Sequence, residues 1–407
     1  MSAALMRWPA RIMALGLVIV PTQTVYYPRT AVVTCILVAL AALVSAWGRK
    51  AWDKPDRAVA VAFALLLGWT VISASWALDA ALAFRDSIGL AATMVIALAG
   101  SAAAARMEAQ DRRLLLWAAV AGLVVAWGFT TMELVFDGVL LRYRSSYNYG
   151  LPTVMKPGNT VAIVMLAPAA AALLTLGRPR LAALLVAAWL AIMPFSYSEA
   201  ARIGSVVLVA TIMLVKFRPL WGPRLIMGGL AILVFALPVA LHRLPTPQQI
   251  WDQHAGLKNS AHHRLAIWRF AGQRIAEHPV IGWGMNSSRV MPGAEDEHLY
   301  QRTRPDGSLE QFRETNLPLH PHNVVVQWWL ELGGIGAALG LAVVVALIRL
   351  GGRVKRPGWH RALAIGTVVG AMSMSMTAYG AWQSWWLAIL ALSAMILTLA
   401  GRDESLS

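Results

Sequence analysis

Twelve apolar runs recur along this 407-residue chain, at roughly 8–26, 30–47, 58–77, 86–105, 113–136, 157–176, 180–197, 201–217, 223–242, 321–348, 360–379 and 381–400. Each is long enough to cross a hydrocarbon core of ~30 Å. Inside such a core the backbone has no water to bond, so every run is expected to close its hydrogen bonds as a helix. Composition points the same way, with 58% of residues hydrophobic and 14% charged, against about 25% charged in soluble domains. A soluble globular fold is excluded. The chain reads as an all-α integral membrane protein of about 12 transmembrane helices with one large polar loop. Residues 1–242 hold the first nine helices, 243–320 the loop, and 321–407 the last three. The first run lacks a small-residue cleavage site, so no cleavable signal peptide is expected. The single cysteine, Cys35, lies inside an apolar run, which leaves no disulfide framework and no Cys-based metal site.

Basic residues set the orientation. With the N-terminus inside, 20 of the 35 Lys and Arg fall on inner segments and six on short outer ones: Arg29, Arg85, Arg142, Arg144, Lys156 and Arg202. The other nine lie in the long loop, to which the short-loop rule does not apply. Both termini are therefore expected to be cytoplasmic, with the 243–320 loop on the outer side. The formal charge of +15 raises nucleic acid as a partner. Topogenic arginines and anionic lipid head groups account for that charge, so membrane lipids, and no nucleic acid, are expected.

Within the loop, residues 261–278 (AHHRLAIWRFAGQRIAEH) place Leu265, Ile267, Trp268, Ala271 and Ile275 near helical spacing. Such a helix either lies along the membrane interface or packs on the bundle. Pro279, Gly282 and Gly284 break it, and Arg289 follows. Residues 292–316 are rich in charge and turn formers and are expected to be mobile.

The chemistry concentrates where the loop meets the tenth run, in HPHNVVVQWWLELGGIG (320–336). His320 and His322 suggest a zinc pair with His262 and His263, but no third ligand stands at a recognisable spacing and no HExxH occurs, so no metal is expected. His322, followed by Asn323 at a helix start, suits a proton acceptor, since an imidazole pKa of about 6.5 lies near working pH. Among the outer cations, Arg202 stands three residues from Glu199, where an i,i+3 ion pair is the alternative reading. Arg142, Arg144 and Lys156 crowd one short segment, as a solvated loop or as part of a site. With Arg264 and Arg289 they form a candidate basic pocket, and arginine forks match phosphate geometry, so a pyrophosphate is the natural guest. Glu331, nine positions past His322, is about half a turn out of phase with it and reads as a packing or hydrogen-bonding group. Trp328, Trp329, Trp382, Trp385 and Trp386 read as a lipid portal or an interfacial aromatic belt.

The spacing His322-Asn323, nine residues, Gly333, two residues, Gly336 resembles the signature of the O-antigen ligase and polymerase superfamily of polytopic, GT-C-like glycosyltransferases. Arg264 to Trp268 with Pro279, Gly282 and Gly284 is similar to that family's loop. Arg202 takes the place of its outer-helix arginine, with Ala201-Arg202-Ile203-Gly204 where Ser-Arg-Gly is usual. The number of spans and the one large periplasmic loop look like the ligase branch. The resemblance implies an enzyme of the bacterial inner membrane with a periplasmic active site. Its donor would be O-antigen on undecaprenyl pyrophosphate and its acceptor a sugar hydroxyl of lipid A–core. His322 would be the general base, with Asn323 and His320 in support. Arg202 and Arg264 would bind pyrophosphate, helped by Arg289 and Arg142. Transfer would invert the anomeric centre without metal or cofactor. A polymerase, a protein O-oligosaccharyltransferase and a transporter of lipid-linked sugars are the alternatives.

Overall fold

The computed structural model describes residues 7–143, 151–196, 198–254, 256–303, 307–356 and 358–402, with 151–154 as backbone only. Each of the twelve apolar runs is helical. The first nine are α1 (Trp8–Tyr26), α2 (Ala31–Arg49), α3 (Arg57–Ser73), α4 (Ala80–Ala104), α5 (Ala109–Val135), α6 (Leu151–Thr175), α7 (Pro179–Ile192), α8 (Glu199–Phe217) and α9 (Gly222–His242). The polar loop holds α10 (Pro247–Gln253), α11 (Asn259–Glu277) and the strands β1 (Glu297–Thr303) and β2 (Leu309–Thr315). Then come α12 (Val324–Gly352), α13 (Trp359–Ser375) and α14 (Ser384–Ala400). Among the described residues, seven helices are both long and apolar enough to cross a membrane: α2, α4, α5, α6, α8, α9 and α12.

Caps explain where boundaries depart from hydropathy. The Asp79 carboxylate accepts from the Leu82 N–H at 2.9 Å and starts α4 at Ala80, six residues before the apolar run begins. Asp56 and Ser198 cap α3 and α8 in the same way. At the centre stands α6, 94% buried over its apolar window and packed against α1, α5, α7, α13 and α14. A helix that is apolar all round belongs in such a position.

The loop departs from expectation in one place and decides between two readings in another. Residues 292–316, expected to be mobile, contain an antiparallel ribbon with Tyr300 opposite Phe312. Trp251 of α10 stacks on Phe312 at 5.4 Å and on His262 at 4.0 Å, giving the loop a small core of its own. α11 packs on α9 and α12, burying Ile267, Phe270, Ala271 and Ile275. Its apolar face therefore meets the bundle.

One discontinuity fixes the end of the bundle that carries the polar loop. α12 breaks at Gly333, whose φ of 66° and ψ of −167° lie in a region essentially reserved for glycine. The break frees backbone groups, and the loop supplies their partners. The N–H groups of Trp283 and Gly284 donate to the carbonyls of Leu330 (3.0 Å) and Glu331 (2.7 Å). The Trp69 indole donates to the Leu332 carbonyl at 3.0 Å. In return, Gly334 and Ile335 donate to the carbonyls of Pro279 (2.8 Å) and Val280 (3.3 Å). A Cβ on Gly282 would stand 2.5 Å from the Glu331 carbonyl, so the loop lies this close only because it is glycine.

Gly333→Ala should lower the apparent melting temperature in detergent, since the strained backbone alone costs about 1–3 kcal/mol and the new methyl would strike the Val280 carbonyl. Gly352→Ala, with open space around it, should leave the melting temperature unchanged in the same fluorescence assay.

Candidate functional site

The break and its loop bring three stretches together around His320 and His322: the start of α12, the 284–289 turn, and the 376–383 connection between α13 and α14. Asn323 caps α12, its Oδ1 accepting from the N–H groups of Val325 (2.9 Å) and Val326 (3.2 Å). That cap fixes where the helix starts and holds His322 just outside it, in the left-handed region at φ 52°. The two imidazoles meet edge to face, 4.4 Å between centroids.

Hydrogen bonds assign their protons. The Ala378 carbonyl, 3.0 Å from His322 Nδ1, can only accept, so Nδ1 carries the hydrogen and Nε2 is left as a lone pair. His320 Nδ1 accepts from the His322 N–H at 3.2 Å, so its own hydrogen sits on Nε2, 3.0 Å from the Gln383 carboxamide. The Gln383 amide nitrogen stands at that distance, and with Nε2 protonated the amide must be turned over for its oxygen to accept from the ring. Burial is the main cause that lowers the His322 pKa from its ordinary 6.5. The Ala378 carbonyl opposes it, and the positive charges of Arg264, His263 and Lys156 add to it. Burial, with charge from His322 and Arg289, pushes His320 down to about 3. Both rings are neutral at physiological pH.

The predicted cations part company here. Arg264, on α11, has no hydrogen-bond or ion-pair partner among the described residues, and burial lowers its pKa without removing its charge. Its field reaches His322, and that of Arg289 reaches His320. Arg289 donates to the Asn286 Oδ1 at 3.3 Å. Arg202 is committed to its own chain: it pairs with Glu199 at 3.3 Å and donates to the carbonyls of Pro194 and Ser196, both at 2.8 Å. Arg142 is exposed on a short 3₁₀ turn, and no contact ties it to the histidines. Arg144 lies outside the described residues. His262 belongs to the loop's aromatic stack and stands 3.3 Å from Glu314.

Two of the five tryptophans bond buried side chains of the bundle. Trp382 donates to Glu331 at 2.6 Å and Trp386 to Ser375 at 2.8 Å, so these two point inward. Glu331 is the largest surprise in extent. It is fully buried and accepts four hydrogen bonds, from Gln327, Ser288, Trp382 and the Asn286 N–H. Its lack of phase with His322 and its bonding character were legible. Its partners, and the part played by Gln383 and the Ala378 carbonyl, had no signal, because they come from segments far apart in the chain. An apolar cavity of about 230 Å³ lies instead between α2, α4 and α14, lined by residues such as Cys35, Gly89 and Ala388.

A sequence model of the family described as O-antigen ligase matches residues 181–341, which include α11, the Pro279–Gly284 segment and the His322 motif. A provisionally named polysaccharide ligase of Rickettsia conorii is 31% identical over 46% of this chain and 42% of its own length. Similarly named proteins of Rickettsia bellii and Rickettsia typhi are 33% and 30% identical, over 40% and 46% of this chain and 38% and 42% of theirs. The chain thus spans less than half the length of the relatives it matches. No solved structure matches it.

The site makes a titration prediction. By NMR of ¹⁵N-histidine-labelled protein, His322 should titrate below 6.5, staying neutral above its pKa and gaining a proton as pH falls through it. Arg264→Ala, by removing a nearby positive charge, should move that midpoint upward; an unchanged or lower midpoint would separate Arg264 from the ring.

Proposed function

We propose that this chain, which carries the O-antigen ligase family's domain over residues 181–341, is a membrane glycosyltransferase that moves polysaccharide from undecaprenyl pyrophosphate to a sugar hydroxyl of lipid A–core. The observation that carries this reading is the nearness of a cation, Arg264, to an imidazole, His322, whose Nε2 is a lone pair, neither having a partner among the described residues. The acceptor hydroxyl gives its proton to His322 Nε2 as its oxygen attacks the anomeric carbon. The bond from that carbon to the pyrophosphate oxygen breaks, and the electron pair leaves with the pyrophosphate. Fixed cations aimed at developing charge are usually the largest catalytic contribution. Arg264 takes that role, with Arg289 beside His320. Arg202 and Arg142 join only if the donor draws Arg202 from its carbonyl partners and reaches Arg142. One displacement inverts the anomeric centre, and the guanidinium groups serve where a divalent ion would otherwise neutralise the leaving group.

The bias of basic residues supports cytoplasmic termini and a periplasmic site in the inner membrane. The relatives' names favour ligation over polymerisation, which the same pocket could also perform on two lipid-linked chains.

In a ligase-deficient host with a compatible core, the wild type should restore the lipopolysaccharide ladder on a gel. His322→Ala at equal expression should abolish it, since a general base contributes about 10²–10⁴-fold. A ladder from both removes His322 as the base, and a ladder from neither turns the reading towards a polymerase. Transfer by the purified protein should persist in EDTA; loss restored by magnesium would overturn metal independence.

A further inference from the structure

The carboxylate of Glu331 is buried two residues before the break in α12, surrounded by donors. Its Oε1 accepts from Gln327 Nε2 (2.9 Å) and Ser288 Oγ (2.5 Å), and its Oε2 from the Asn286 N–H (2.8 Å) and Trp382 Nε1 (2.6 Å). No cation pairs with it among the described residues. A buried carboxyl is expensive to desolvate, and an apolar side chain of similar size would often serve stability as well. What these bonds secure is therefore more informative than their number.

They secure two segments that flank the histidines. Gln327, held by Glu331 through its amide nitrogen, accepts from the Ala381 N–H with its oxygen at 2.7 Å. Trp382, next in sequence, bonds Glu331 directly. The 378–382 stretch is thus pinned at two successive residues, and three residues before Ala381 lies the carbonyl of Ala378, which fixes the His322 proton on Nδ1. On the other side, Asn286 and Ser288 belong to the turn that carries Arg289.

We propose that Glu331 is a positioning residue: its carboxylate, acting through Gln327 and Trp382, holds the Ala378 carbonyl where it keeps His322 in the tautomer that leaves Nε2 free to accept a proton. The inference rests on His322 as the base, and it deepens that reading without making Glu331 touch substrate. The network is read by hydrogen-bond polarity. An amide at 331 would turn one oxygen into an NH₂ group facing donors. Ser288 can rotate its hydroxyl to accept, but Gln327 can accept there only by turning its own NH₂ towards the Ala381 N–H.

That polarity gives a reciprocal test on full-length protein in nanodiscs, with histidines ¹⁵N-labelled and His322 identified by the signal missing in His322→Gln. In the wild type, His322 should show a protonated Nδ1 and a bare Nε2 at neutral pH. Glu331→Gln should mix the two tautomers and reduce transfer by about 10²-fold or more, the scale of a misdirected base. Gln327→Glu combined with Glu331→Gln moves the carboxylate one helical turn. There it can accept from both the Ala381 N–H and the amide at 331, and it should restore the Nδ1–H pattern and most of the transfer. If Glu331→Gln does not fold, Gln327→Met, which cuts the link to Ala381, is read by the same signal and should also mix the tautomers. A wild-type tautomer in the folded single variant, or a double variant as impaired as the single, overturns the proposal. Because the tautomer is read without substrate, a wild type that fails to ligate counts against the transferase reading and leaves this test standing.

Discussion

The break in α12 is the constraint on which the loop-bearing end of this protein depends. A helix interior normally satisfies its own backbone, and in a bilayer the alternative is several kilocalories per unsatisfied group. Gly333 opens α12 where residues 279–284 and the Trp69 indole supply partners to backbone groups on both sides of the break. The polar loop is therefore stitched into the helix. Pro279, Gly282 and Gly284 are the residues that allow the approach, and the turn that follows carries Asn286 and Ser288, which bond Glu331, and Arg289, whose charge reaches His320. Sequence spacing, loop path and site geometry are one consequence of one non-helical residue.

Electrostatics set the site apart. Elsewhere several cations are held in ion pairs: Arg49 with Asp111 at 2.9 Å, Arg353 with Asp56 at 3.0 Å, Arg106 with Asp53 at 2.5 Å and Arg202 with Glu199 at 3.3 Å. Beside His322, Arg264 has no partner among the described residues, and the two imidazoles are neutral. A partly buried cation without a counter-ion is poor design for stability alone and good design for an anionic ligand. The carboxylate of Glu331 is taken up by four donors.

Much of this was legible in the residues. Hydropathy located the twelve helices, seven of which, among the described residues, are long and apolar enough to cross a membrane, and the His322 motif pointed to the candidate site. The ribbon at 297–315 was missed because its strands are rich in charge, although Pro305-Asp306-Gly307 between residues such as Tyr300 and Phe312 is a hairpin signal. Arg202 was legible as the partner of Glu199, but its capture by two carbonyls of the preceding turn was not. The proton on His322 was beyond reach altogether. It depends on a carbonyl 56 residues away in sequence, and backbone carbonyls carry no residue identity.

The most direct test of the account is a cryo-electron microscopy structure with undecaprenyl pyrophosphate bound. The account predicts phosphate oxygens within about 2.7–3.2 Å of the Arg264 guanidinium, His322 Nε2 facing the space beside the leaving group, and Nδ1 still on Ala378. A pyrophosphate seated away from Arg264, or a His322 Nε2 taken up by a protein donor in that complex, would contradict it.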